Sequence, residues 1–213
     1  MKKLKSEWIT KNPESRLYQI PVPIIGLTGG IGTGKSTVAE ILREKNIPVI
    51  DADKLVKNIY QKAETLEFIA KHFPRALVEG TINFKNLRET AFLDPLAKKL
   101  IEDFIYTYMP EEFKKAYATF SNPQFIVYDV PLLFEKKLNE LVDLSVCVYT
   151  PRETQIERII ARDKSSRELA SKIIDNQMDI EEKKKLSDFV ISNTSDLVDL
   201  KISVEQFLKD ITV

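Results

Sequence analysis

The chain has 213 residues, with 32 basic and 32 acidic side chains and a formal net charge of zero. That length supports one domain with a large core, or one domain that carries an insertion. The charge balance lacks the basic excess typical of nucleic-acid-binding proteins, so we expect no nucleic-acid partner. Apolar runs are too short to span a bilayer, and residues 1–20 lack an apolar signal core, which predicts a cytoplasmic protein with no membrane partner.

The first segment, residues 1–21, is polar with isolated apolar side chains such as Trp8. We interpret it as an N-terminal extension that is either frayed or laid across the surface by Trp8, and we assign it no chemistry. Residues 22–208 are predicted to form a single domain.

A phosphate-binding pattern follows, because five of the six glycines fall between Gly26 and Gly34. The pattern G-x-x-x-x-G-K-[ST] is matched by Gly29, the four residues that follow it, and Gly34-Lys35-Ser36. A strand is predicted before this pattern and an amphipathic helix after it. Glycines allow backbone N–H groups to form an anion site, Lys35 reaches the β- and γ-phosphates, and Ser36 offers a hydroxyl to Mg²⁺. The predicted phosphate-binding residues are Gly30, Ile31, Gly32, Thr33, Gly34, Lys35, Ser36 and Thr37.

A second strand, residues 47–50, leads into Asp51 and Asp53. Ligands in open α/β sheets bind beyond the carboxyl ends of strands, so both aspartates should lie at the edge that holds the phosphate loop. Periodicity does not decide which of them faces the transferred phosphoryl group, and a helix N-cap is an equal alternative for Asp51. Residues 62–120 then show helical spacing, which predicts an inserted helical lobe with a kink or division at Pro110.

The third strand ends in Asp129, a candidate Mg²⁺ ligand, although many buried strands end in Asp for ordinary loop reasons. The fourth strand contains the single cysteine, Cys147, which is predicted to be a buried core thiol. On the next helix, Arg158 and Arg162 share one face, and Arg167 follows a short polar segment.

These three arginines predict a lid over about residues 158–180 that closes on a triphosphate, with surface ion pairs as the alternative. The charged run 181–185 is predicted to be a solvated helix face. A fifth strand ends near Asn193, and a closing amphipathic helix follows it.

The element order predicts an α/β fold: a three-layer α/β/α sandwich around a five-stranded parallel sheet, as in phosphate-loop nucleotide kinases, with a helical substrate lobe and a lid. A GTP-dependent switch would carry N-K-x-D and D-x-x-G, and neither string occurs. A small-molecule kinase needs a strand-end carboxylate, an acceptor-binding insertion and a lid arginine, and all three have candidates. The sequence therefore favours a kinase.

Four strings together resemble the dephospho-coenzyme A kinase family: GLTGGIGTGKSTVA, VIDAD, DVPLLFE and ERIIARDKSSRE. The resemblance runs from about Ile24 to Phe207, and GTINFKNLRETAF matches the family's helical substrate lobe. It implies ATP-dependent phosphorylation of the ribose 3′-hydroxyl of dephospho-coenzyme A, the last step of coenzyme A biosynthesis. ATP, Mg²⁺ and dephospho-coenzyme A are the ligands it implies.

The resemblance also implies residue roles. It makes Asp53 the general base for the 3′-hydroxyl, and Lys35 with a lid arginine the charge-stabilising groups. The lid role is placed first on Arg162, then on Arg167 and Arg158.

By the same resemblance, Asn193 is expected at the adenine edge and Thr28 toward the acceptor. The chain has Met109-Pro110 where the family commonly has His-Pro. A kinase of another small alcohol or nucleotide, and a non-catalytic ATP-binding regulator, are the alternative functions. The oligomeric state is left open, with a monomer favoured over a trimer.

Overall fold

The computed structural model describes residues 2–213, which form two compact units. One unit contains the chain up to Asp51 and from Phe120 onward, and the other is Ala52–Thr119. The strands are β1 (Ile24–Gly29), β2 (Val49–Asp51), β3 (Leu77–Val78), β4 (Thr81–Ile82), β5 (Ile126–Asp129), β6 (Leu144–Tyr149) and β7 (Phe189–Ser192). The α-helices are α1 (Lys35–Glu44), α2 (Ala52–Tyr60), α3 (Ala63–His72), α4 (Phe84–Leu93), α5 (Pro95–Ala118), α6 (Arg152–Asp163), α7 (Arg167–Asp175), α8 (Ile180–Leu186) and α9 (Leu197–Ile211).

The larger unit is built on a parallel sheet in the order β2-β5-β1-β6-β7. Every residue of the central strand β1 is buried, as expected for a parallel sheet covered on both faces. Asp129 pairs in register with Leu27 on one side and with Asp51 on the other, so the two acidic strand ends are neighbours. The predicted five-stranded parallel sheet is confirmed.

Helices cover the two faces of this sheet. The buried side of α1, including Val38 and Leu42, packs with α9 and with strand residues such as Val146 in one apolar core. Cys147 directly follows Val146 along β6, so the two side chains lie on opposite faces of the sheet. The Cys147 thiol is close to Ser187, at the end of α8. Burial raises the pKa of the Cys147 thiol to about 11, and the predicted core thiol is confirmed.

The N-terminal segment lies across the larger unit, which is one of the two arrangements that the sequence allows. The buried guanidinium of Arg16 pairs with Asp143 through Nε–Oδ2 at 2.6 Å and Nη2–Oδ1 at 2.9 Å. Asp143 also accepts the backbone N–H of Ile24 at 2.8 Å, at the start of β1. Trp8 packs edge-to-face on Phe189, with ring centroids 4.9 Å apart. The segment is therefore held by a buried ion pair as well as by Trp8.

The smaller unit contains α2 to α5 and the β3–β4 hairpin. The hairpin turn uses Glu79 and Gly80 at φ 50° and 76°, the pair of positive angles that a two-residue type I′ turn requires. The unit begins at Ala52, whereas the sequence places the start of the insertion at about residue 62.

Pro110 lies inside α5, and the helix continues through it, so the predicted division is wrong, whereas the alternative, a kink, stays a prediction. Proline removes one intrahelical hydrogen bond, but Ile105, Met109 and Phe113 lie on one buried face before and after it. Their burial holds the two halves in one helix. Along residues 2–213, no helix is both long and apolar enough to cross a membrane.

Candidate active site

The phosphate loop, residues 30–34, joins β1 to α1 in the order that the sequence predicts. Gly32 and Gly34 adopt φ values of 80° and 86°, in the left-handed region that favours glycine. A Cβ at Gly34 would clash with Nδ2 of Asn193, and one at Gly32 would lie 2.9 Å from the carbonyl oxygen of Gln155. Backbone angle and space both require glycine at these two positions.

Side chains hold the carbonyl groups of this loop. The Gly30 carbonyl accepts from Oγ1 of Thr33 at 2.7 Å, and the Gly32 carbonyl accepts from Nη1 of Arg158 at 3.3 Å. The Thr33 carbonyl accepts from Nδ2 of Asn193 at 2.8 Å. On the other side of these peptides, the Ile31 N–H donates to Oε1 of Gln177 at 2.9 Å and the Thr33 N–H donates to the Gly30 carbonyl at 3.2 Å, so protein groups hold the loop from both sides.

Arg158, Asn193 and Thr150 form one polar cluster beside the loop. The Asn193 carbonyl accepts from Nη2 of Arg158 at 3.1 Å and from Oγ1 of Thr150 at 2.8 Å. Asn193 is buried with its amide on the loop, and its expected place at the adenine edge stays a prediction. Thr150 was not among the residues predicted from the sequence. It directly follows β6, and ligands in open α/β sheets bind beyond the carboxyl ends of strands, so its position could have indicated it.

Lys35 forms an ion pair with Asp129, which the structure buries at the end of β5. Burial raises the pKa of the Asp129 carboxyl, the Lys35 ammonium lowers it and the neighbouring Asp51 carboxylate raises it, so that the net shift is upward. A buried carboxylate that needs a cation beside it can exchange one cation for another. The pair thus brings together two residues that the sequence assigned to phosphate and to metal.

The same corner of the unit offers oxygen ligands suited to Mg²⁺. Ser36 is exposed in the first turn of α1. Asp129 ends β5, the strand that pairs with β1. Within residues 2–213 there is no cluster of three or more His, Cys, Asp or Glu side chains able to hold a metal. Mg²⁺ bound with a nucleotide needs only one or two protein oxygens, since phosphates and water complete its octahedron, so these residues fit.

The three predicted lid arginines are not brought together. Arg158 contacts the phosphate loop, whereas Arg162 pairs with Asp163 at 2.7 Å and 2.8 Å on the surface. Arg167 pairs with Glu153, also on the surface. The lid roles of Arg162 and Arg167 stay predictions.

Thr28 and Lys183 converge on the carbonyl of Pro131. The hydroxyl of the buried Thr28 donates to it at 3.0 Å, so its expected contact with the acceptor stays a prediction. Nζ of Lys183 donates to the same carbonyl at 2.6 Å and pairs with Glu135 at 2.8 Å. The side chain of Lys183 has 0% exposure, so the prediction of a solvated 181–185 face is wrong at this position. Helical spacing places Lys183 with Ile180 on the inward face of α8.

A cavity of about 560 Å³ opens inside the helical unit. Asp53, Lys57 and Tyr60 line it from successive turns of α2, and Phe84 and Arg88 line it from α4. Residues three or four apart share one face of a helix, which explains why these side chains reach the same space.

The cavity has an aromatic wall and charged groups. The rings of Tyr60 and Phe84 meet edge-to-face with centroids 5.1 Å apart. Burial raises the pKa of the Tyr60 hydroxyl, and the nearby Arg88 guanidinium offsets part of that rise. Rings beside two cations and one carboxylate suit a ligand with a flat apolar group and an anionic group.

A family model and the curated relatives indicate the same family. A family model described as dephospho-CoA kinase matches residues 23–199. A dephospho-CoA kinase from Fusobacterium nucleatum is 40% identical over 192 residues, covering 89% of this chain and 99% of that protein.

Solved structures with a similar fold cover most of this chain. A crystal structure from Thermus thermophilus has a TM-score of 0.82 and 32% identity, covering 90% of this chain and 99% of that one. Dephospho-CoA kinase from Campylobacter jejuni has a TM-score of 0.60 and 29% identity, covering 89% of this chain and 97% of that one.

Proposed function

Because the chain belongs to the dephospho-CoA kinase family, we propose that it transfers the γ-phosphoryl group of ATP to the ribose 3′-hydroxyl of dephospho-coenzyme A. The observation that carries the proposal is the phosphate loop, whose carbonyls are held by protein donors and whose Lys35 pairs with a buried strand-end carboxylate. Positioned charges of this kind supply most of the catalysis in phosphoryl transfer.

The ATP half of the site follows from the Lys35–Asp129 pair. When ATP occupies the loop, the Lys35 ammonium exchanges the Asp129 carboxylate for the β- and γ-phosphates. Asp129 then becomes available, with the hydroxyl of Ser36, to hold Mg²⁺. Bound there, Mg²⁺ would neutralise charge on the phosphates as the bond to the leaving oxygen breaks.

The acceptor half uses the cavity of the helical unit. Lys57 and Arg88 suit the diphosphate of dephospho-coenzyme A, and the aromatic wall suits a ring or an alkyl portion of it. Asp53 is exposed in the first turn of α2 and lines this cavity. We assign it the orientation of the 3′-hydroxyl and the acceptance of its proton.

ADP release tests the proposal when ATP and Mg²⁺ are combined with dephospho-coenzyme A, its 3′-deoxy analogue, adenosine, AMP or no acceptor. Stimulation by dephospho-coenzyme A alone is the expected result. The Lys35→Met variant serves as the enzyme blank, with turnover lower by about 10³ because a charge-stabilising group is lost. Equal release in every reaction, or stimulation by the 3′-deoxy analogue, would contradict the proposal.

A further inference from the structure

The segment between α7 and α8 contacts the phosphate loop through Gln177. Its Oε1 accepts the backbone N–H of Ile31 at 2.9 Å. Ile31 is the second residue of the loop, and the motif pattern gives no role to a side chain so far along the chain. The contact orients the Gly30–Ile31 peptide, at the point where β1 ends and the phosphate loop begins.

Gln177 is itself held by neighbouring contacts. Its own N–H donates to the Ile174 carbonyl at 3.0 Å, and the N–H of Met178 donates to Oε1 of Glu135 at 3.0 Å. Glu135 in turn pairs with the buried Lys183. The backbone that carries Gln177 is therefore fixed, so that the bond to Ile31 costs side-chain rotamer entropy but little backbone entropy.

The Gln177 contact complements the bonds to the loop carbonyls. Arg158 and Asn193 hold carbonyl oxygens of Gly32 and Thr33, whereas Gln177 holds an N–H group at the other end of the loop. Together these contacts fix peptide planes on both sides of the turn that must form around the phosphates.

We infer that Gln177 is a positioning residue for the phosphate loop, which acts through the Ile31 N–H to preorganise the loop for ATP. The inference rests on the proposed function only for the identity of the nucleotide. Without this bond the Gly30–Ile31 peptide is held only at its carbonyl, by Thr33, and ATP binding must supply the remaining order.

The test replaces Gln177 with Met, which keeps its length and removes the acceptor. Asn176→Met is the matched control, because Asn176 is the adjacent exposed residue and its amide bonds to the Lys172 carbonyl. Calorimetric binding of ATP·Mg²⁺, the KM for ATP and for the acceptor, and the thermal midpoint are measured for each protein.

Q177M should bind ATP about fivefold more weakly, as expected for one lost hydrogen bond, with a matching rise in the KM for ATP. The KM for the acceptor and the thermal midpoint should stay at the values of the control. Unchanged ATP affinity overturns the inference, as does tighter binding, which would mean that Gln177 competes with the phosphates. Binding of ATP is measured without acceptor, so failure of dephospho-coenzyme A as substrate would leave this test intact.

Discussion

Asp51 and Asp53 are two residues apart, yet the structure gives them different surroundings. Asp51 ends β2 beside Asp129, and it belongs to the larger unit. Asp53 belongs to the helical unit and lines its cavity. The spacing of residues in the chain could not separate them, because both follow the same strand.

We expect substitutions of these two aspartates to differ in their effect on turnover. Asp53→Asn should lower kcat by about 10²–10⁴, the usual contribution of a general base, while ATP affinity stays unchanged. Asp51→Asn should have a smaller effect on kcat. Steady-state kinetics with calorimetric ATP binding measure both, and the reverse ranking would mean that the proton acceptor is Asp51.

Local sequence motifs identify the phosphate loop, but they do not identify contacts between residues that are distant along the chain. Lys35 and Ser36 are recognisable because their spacing from the glycines is fixed by the chemistry of one loop. Lys183 looked like part of a solvated charge run, since its partner Glu135 is distant in sequence. Gln177 and Thr150 act on the loop through backbone groups, which leave no pattern in the sequence.

At the element scale, α4 contributes one face to the cavity through Phe84 and Arg88. Arg88→Ala should raise the KM for dephospho-coenzyme A by about tenfold or more, because an arginine–phosphate contact is a strong charge-assisted bond. The KM for ATP should not change. Lys85→Ala is the matched control, since Lys85 is an exposed cation on the same helix outside the cavity lining. Equal effects of the two substitutions would remove the cavity from the acceptor site.

The ion pair that fixes α8 gives a prediction on stability and pH. Burial by itself would raise the pKa of the Glu135 carboxyl, but the Lys183 ammonium and backbone N–H groups outweigh it and lower the pKa. A lowered carboxyl pKa stabilises the fold above the unfolded pKa, and this stabilisation is lost as the pH falls through the folded value.

Glu135→Gln should therefore lower the free energy of unfolding by about 3 kcal/mol near neutral pH, since Lys183 stays buried without its counter-charge. The difference from the unsubstituted protein should shrink as the pH falls below about 4.3. Urea unfolding at several pH values measures it, with the exposed Glu140→Gln as control. A difference that does not depend on pH would rule out the charge of Glu135 as its source.

At the scale of the whole molecule, apolar periodicity and strand-ending residues were enough to predict five parallel strands and a helical insertion. The order β2-β5-β1-β6-β7 was not deduced, because several orders bury the same apolar strands. The docking of the N-terminal segment was not deduced either. It depends on the ion pair between Arg16 and Asp143. These residues are far apart along the chain, so no local sequence pattern indicates the pair.

Arg16→Met should destabilise the protein by about 3–5 kcal/mol, because Asp143 would remain buried without its partner. At a temperature where the variant is folded, kcat should stay within about twofold, since substitutions away from the site change stability and not chemistry. Lys3→Met, which removes an exposed charge from the same segment, is the control. An unfolding free energy equal to that of the control would show that the segment contributes no stability through this pair.

Transfer of label from [γ-³²P]ATP to dephospho-coenzyme A tests whether the chain phosphorylates the ribose 3′-hydroxyl. We expect a labelled product that co-migrates with coenzyme A and loses its label to a nucleotidase specific for 3′-phosphates. Label found only in inorganic phosphate, or in a product that resists that nucleotidase, would contradict transfer to the ribose 3′-hydroxyl.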